Sequence, residues 1–370
     1  MLHIENHNGT LQSLVQKVQE QDNRSADFLW STNNLQKITT DEGKPQIVLE
    51  AFKGHPTRFL NVNEHAFGQI AQHLEIDTRT ARRLQNEVPA EFDAVTNALF
   101  QKNSTNRMIR TFLSEDEISG IMRAFVSDKF KTFDNIHLLK AILEPLNNSE
   151  AMLKIVNGTV TDKRLYIRFK SEIQTGEAAK GDLMANGLGL SNSEVGAGSV
   201  QVYQLFWTLA CINGMQTENR NRSSHITSAR DSADYGLLSG EAKDADNHAL
   251  GLKLRDLVKA YVSRELFDEV LDKMRAAHSD VIEGDFHEIP ERVGTVLKLT
   301  KKENTDILNG LISTMGQSGY EQGKDITRAT MINAITAVAN NCDADDVDMW
   351  QQRGGKLLNL NDRDWNRIAA

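Results

Sequence analysis

The spacing of apolar residues changes period along this chain, and that change restricts the folds open to it. Leu11, Leu14, Val15 and Val18 recur at helical spacing in an amphipathic opening segment within residues 1–30, followed by a polar stretch to Trp30. Gln46 to Phe52 reads as a strand, with a turn at 53–56. Asn63 is placed to cap a helix over 64–74, and Asp77 or Thr78 a helix over 79–86; Pro89 marks a break before helical residues 90–100. From Arg107 the period shortens to that of strands, over Arg107–Leu113 and Gly120–Val126. A helix over Ile136–Leu146 and strands over 152–158 and 165–170 follow. Residues 174–200 are rich in glycine, serine and asparagine and read as a long loop, followed by a helix through Cys211. An Arg- and Ser-rich connector at 216–235 leads into mostly helical sequence from 246 to 340.

The pattern predicts an α+β protein: a central, mostly antiparallel sheet with packed helices, flanked by helical N- and C-terminal parts. The expected divisions are a mostly helical region over 1–100, an α+β core with a basic sheet and the Gly/Ser/Asn-rich loop over 101–235, and an acidic, mostly helical region over 236–370. At 370 residues, 39% hydrophobic and 25% charged, the chain can bury a sizeable core without disulfides. Its longest apolar run, Leu205 to Ile212, falls far short of the roughly 20 residues a membrane helix needs. Met1 to His7 has no basic and then apolar leader, so a cytoplasmic location is expected.

Chemistry-bearing motifs are scarce. Cys211 and Cys342 are too far apart in sequence to suggest a disulfide framework or a cysteine metal site. The ten histidines form no HExxH element, and no serine sits in GxSxG. Asp343, Asp345, Asp346 and Asp348 lack the glycine and closing glutamate of a calcium loop and read as a solvated turn. No catalytic residue, cofactor or metal is therefore expected.

Charge is distributed unevenly. The net charge is −9, yet residues 101–170 hold twelve Lys or Arg against eight Asp or Glu, and residues 231–350 hold thirteen against twenty-three. On the expected sheet, Arg107, Arg110, Arg123, Lys129, Lys131, Arg164, Arg168 and Lys170 accompany Phe112, Phe125, Phe130, Phe133, Tyr166 and Phe169. Cations interleaved with aromatics suit a single nucleic-acid strand, whose phosphates they neutralise while rings stack on bases. A sheet with one apolar face and one solvated basic face gives the same alternation. Arg220, Arg222 and His225 concentrate further anion-binding side chains in the polar connector. Residues 67–84 fit a helix-turn-helix with Arg79, Arg82 and Arg83 on its second helix, and equally fit any short helical hairpin. Ser191 to Ser199 offers small residues and free amides but no Gly-Lys-Ser/Thr ending, which favours a structural turn over a phosphate loop.

Gly189 to Ser199 and Leu209 to Met215, followed by the Arg/His segment, resemble phage- and plasmid-like proteins that share one large domain of unknown function. Arg123 to Asn135 fits the same resemblance, which would span roughly residues 30–340. It implies a mobile-element setting and assigns no reaction. A looser, fold-level resemblance to phage single-strand annealing proteins implies a homo-oligomer holding single-stranded DNA in a basic groove. The expected function is thus non-enzymatic single-stranded DNA binding or annealing in recombination or replication. One alternative is a protein-interaction module acting on a host defence or repair complex, or on a phage partner. Another is a duplex-binding regulator using residues 67–86.

Overall fold

The computed structural model describes residues 5–7, 11–52, 54–209, 213–216, 239–315 and 325–370, with residues 5–7 and 213 described by backbone alone. Its first half runs β1 Glu5–His7, α1 Leu11–Arg24, β2 Ser25–Ser31, β3 Leu35–Thr39, β4 Pro45–Leu49, β5 Arg58–Val62, α2 Glu64–His73, α3 Thr78–Glu87, α4 Pro89–Lys102, β6 Asn106–Leu113, β7 Ser119–Ser127 and α5 Asn135–Asn147. Then come β8 Leu153–Val160, β9 Leu165–Ala179, β10 Asp182–Asn192, β11 Gln201–Thr208 and β12 Asn213–Gln216. The C-terminal part is helical: α6 Gly240–Tyr261, α7 Arg264–Ser279, α8 Glu288–Leu297, α9 Lys301–Met315, α10 Arg328–Val338, α11 Ala344–Leu358 and α12 Asp362–Ala369.

The class is α+β, but the strands form two six-stranded sheets where the sequence suggested one central sheet. The first sheet has the order β2-β6-β7-β5-β4-β3, antiparallel except where β5 meets β7. The second, β1-β8-β9-β10-β11-β12, is antiparallel throughout.

Helices α2 and α4 cover one face of the first sheet, where Ala66, Ile70 and Phe100 pack on Trp30, Ile47, Leu60, Ile109 and Phe125. The α2–α3 hairpin follows from its caps: Asn63 Oδ1 accepts from the Ala66 N–H at 2.8 Å, and Asp77 Oδ2 from the Thr80 N–H at 3.0 Å. Pro89 opens α4 instead of only breaking the chain, because the first helical turn has no use for its missing N–H. Edge strand β3 is protected by α4, whose Asn97 accepts from the Lys37 N–H and donates to the Lys37 carbonyl, standing in for a further strand.

The second sheet carries α5 and α6 on one face, with Leu138, Leu139, Ile142, Leu254 and Val258 against Ile167, Phe169, Leu188 and Val202. Leu14 and Val18 of α1 join this cluster before the chain enters β2 of the first sheet, so α1 bridges the two sheets. Burying each of these side chains contributes about 1.5–3 kcal/mol. The C-terminal helices build a further cluster around Phe267, Leu271, Met274, Ile307, Met331, Ile335 and Trp350, into which the second sheet contributes Met184, Phe206 and Met215.

Three local expectations are corrected. Residues 25–31 form a strand, because Phe28 and Trp30 alternate into the core behind a polar front. Residues 174–192 form most of a hairpin, not a loop. The glycines there make room for aromatic rings: a Cβ on Gly189 would lie 1.9 Å from the ring of its cross-strand partner Tyr203, and one on Gly187 2.6 Å from Trp207 Nε1. Residues 201–208 are a strand, not a helix, and read as an unbroken apolar run because both of its faces are buried. Cys211 lies outside the described residues.

Candidate anion-binding cleft

The second face of the first sheet carries Asp27, Arg110 and Arg123, and it meets the end of the second sheet through residues 193–200, the connection from β10 to β11. That connection is heavily tied. Arg110 Nη1 donates to the Glu194 carbonyl at 2.6 Å. His65 Nε2 and Gln69 Nε2 donate to the Val195 carbonyl at 2.9 and 2.8 Å. Ser193 Oγ donates to the Lys163 carbonyl at 2.8 Å, and Arg164 Nη2 to the Ser199 carbonyl at 2.8 Å. Ser191–Ser199 therefore joins the two sheets, and within it the Ser193 hydroxyl accepts from the Val195 and Ala197 N–H groups. Gly196, at φ +79°, supplies the left-handed turn within it.

Beside this junction a cleft of about 810 Å³ opens between α1, the β8–β9 turn and the facing sheet. Its α1 wall presents Lys17, Glu20 and Arg24, spaced to lie on one polar face of the helix. The opposite wall is the turn Thr161–Arg164. The Thr161 hydroxyl holds it by accepting from the N–H groups of Lys163 and Arg164, so that Asp162, Lys163 and Arg164 are displayed together. The floor holds Phe112, Arg123, Asn135 and Glu194.

Five cations and three carboxylates line the cleft, a positive surplus on a chain of net charge −9. Arg123 lies over the Phe112 ring, 3.8 Å from its centroid, and is ion-paired with Glu194. The other Glu194 oxygen accepts the Asn135 N–H at 2.7 Å, at the start of α5. Arg24 Nε donates to the Leu113 carbonyl at 3.3 Å, and Lys163 lies 3.9 Å from Asp345. Burial raises the pKa of Asp162.

Of the side chains singled out in the sequence, Phe112, Arg123 and Arg164 line this cleft. Arg110, Arg168, Tyr166 and Phe133 are buried and do not form a solvated binding face, so their assignment to phosphate or base contacts is corrected. The physical reason is internal charge pairing. Arg110 meets Asp27 at 2.9 Å and Asp134 at 2.6 Å; burial opposes its charge, but these carboxylates outweigh burial and raise its pKa. Arg168 meets Asp348 at 2.5 Å, and Tyr166 donates to Asp345 at 2.9 Å, which fastens the second sheet to α11. Phe133 is in the core between α5 and the second sheet.

The remaining candidates are scattered. Arg107 is half-buried against His73 and the Phe125 ring, Lys129 is exposed, Phe130 packs on the Val126–Val195 cluster, and Lys131 reaches Asp246 at 3.5 Å. Arg220, Arg222 and His225 lie outside the described residues. On α3, Arg79, Arg82 and Arg83 are exposed, with Arg82 paired to Glu64 and Arg83 3.7 Å from Glu87.

Sequence reasoning missed Lys17, Arg24, Asp162, Lys163 and Glu194 as a group. The one available signal was a pair of cations on the polar face of α1 and a Lys-Arg step in a turn. Among the described residues, no group of three or more His, Cys, Asp or Glu could hold a metal ion, and no helix is long and apolar enough to cross a membrane. No protein-family model, curated protein or solved structure matches this chain.

Proposed function

We propose that this chain is a non-enzymatic single-stranded DNA-binding or annealing protein, acting as a homo-oligomer in recombination or replication of a mobile element, and that the cleft between its two sheets receives the strand. The observation that carries this reading is the positive surplus of the cleft on an otherwise acidic chain, since phosphate attraction follows local potential and not net charge. Lys17, Arg24, Lys163 and Arg164 neutralise phosphates along the two walls, while Arg123 stands at the floor.

The test is fluorescence-anisotropy titration with single- and double-stranded DNA of random sequence across a salt series, on the wild-type chain and on R24E/K163E. Both side chains are exposed, so the substitutions leave the core intact. The wild type is expected to prefer single strands. The variant should bind at least about tenfold more weakly, with a salt slope smaller by about 1.4 for two lost phosphate contacts. Absence of wild-type binding at low salt, or an unchanged variant, overturns the reading. A duplex preference would transfer the function to the exposed arginines of α3, the second reading the geometry favours.

A further inference from the structure

Three carboxylates line the cleft, and they differ in kind. Glu20 is exposed on α1 and Asp162 sits in the β8–β9 turn, whereas Glu194 is only 8% exposed and is paired with the cation at the floor. The groups around the Glu194 carboxylate are those that would hold a phosphate. One oxygen takes a backbone N–H from the first turn of α5, a helix of thirteen residues. The other takes the Arg123 guanidinium, whose carbon lies over the Phe112 ring, 3.8 Å from its centroid.

We infer that Glu194 is an internal anion occupying the phosphate subsite at the cleft floor, and that a bound strand displaces its carboxylate from Arg123. This inference rests on the strand-binding reading above and adds its regulation. The Glu194 backbone stays in place during displacement because its carbonyl is held by Arg110 and the next carbonyl by His65 and Gln69, so only the side chain has to turn. The built-in carboxylate lowers affinity for any single phosphate. It also favours ligands whose neighbouring phosphates engage Lys17, Arg24 and Lys163 at the same time, selecting a polymer over a free mononucleotide or inorganic phosphate.

E194Q tests this directly. It should bind a random single-stranded oligonucleotide at least about fivefold more tightly than the wild type, with a salt slope larger by about 0.7 for the phosphate gained by Arg123. The gain should vanish in R123Q/E194Q. A second measurement uses the wild-type chain and needs no substitution. Carbodiimide-driven amine labelling of Glu194, read by mass spectrometry, should rise when a saturating oligonucleotide is added, while labelling of Glu20 and Asp162 falls. Wild-type binding with no gain in E194Q, or Glu194 labelling that stays flat or falls, overturns the inference and leaves the cleft reading standing. Binding by E194Q alone, or by neither protein, overturns the strand-binding reading of the wild-type chain and the inference with it.

Discussion

Asp348 should be one of the most costly side chains to remove from this protein, although it is a surface-type residue in a stretch that reads as a solvated turn. It lies on α11 and is 7% exposed. Its Oδ1 accepts from Arg168 Nη2 at 2.5 Å and from the Tyr203 hydroxyl at 2.9 Å. Arg168 is 1% exposed on β9, and Tyr203 is 7% exposed on β11. Truncation in D348A leaves a guanidinium in the interior without its counter-charge, a loss of about 3–5 kcal/mol for a broken buried pair. Replacing both charges together, in R168M/D348L, removes the desolvation penalty along with the attraction and should recover most of that loss. Urea unfolding followed by tryptophan fluorescence is a suitable assay, because Trp207 on β11 and Trp350 on α11 are both buried near the contact between sheet and helix. With a denaturant slope of about 3 kcal/mol/M, D348A should lower the midpoint by about 1–1.7 M. A D348A loss below about 1 kcal/mol, or a double variant no more stable than the single one, would refute the argument that this pair locks the C-terminal helices to the second sheet.

Two further outcomes concern the same architecture. His73 is held neutral, chiefly by burial and then by the adjacent Arg107, with its pKa lowered from 6.5 to about 4. The unfolded chain therefore takes up a proton first, and stability is full above pH 6.5 and lost as pH falls from there toward 4; urea midpoints at pH 7 and 5 should differ less in H73Q than in the wild type. Gly189→Ala places a methyl 1.9 Å from the Tyr203 ring, so ring and strand must shift; a loss of about 1–3 kcal/mol is expected, and a midpoint equal to wild type would show that the ring does not lie across that glycine.

What could be read in the sequence depended on whether the deciding contacts were local. Helices α2 and α3 are legible because Asn63 and Asp77 cap them within three residues, whereas β6 and β7 are legible as strands but not in their facing, since consecutive residues on both faces are buried. Strand β10 is not legible: Gly187 and Gly189 look like turn residues until Trp207 and Tyr203 are known to lie across them. For β11 the apolar run fits helix or strand equally, and only burial on both faces decides it. The cleft was invisible for a similar reason, since α1 and the β8–β9 turn are far apart in sequence and meet only through the packing of Leu14 and Val18.

The basic residues of the strands illustrate the limit of counting charge along a chain. Arg110, Arg123 and Arg168 contribute to the positive excess of residues 101–170, but each meets a carboxylate from another part of the chain: Asp27 from β2, Glu194 from the β10–β11 connection and Asp348 from α11. Two sheets and a helical part brought together this way are held in a specific relative placement, because a guanidinium left in the interior without its carboxylate costs several kcal/mol. The cations that line the cleft on α1 and in the β8–β9 turn lie at the margins of the junction. Arg123 belongs to both sets, paired inward with Glu194 and lining the cleft, so the ion pair that helps hold the sheets together is also the contact through which a bound anion would be felt in the junction between them.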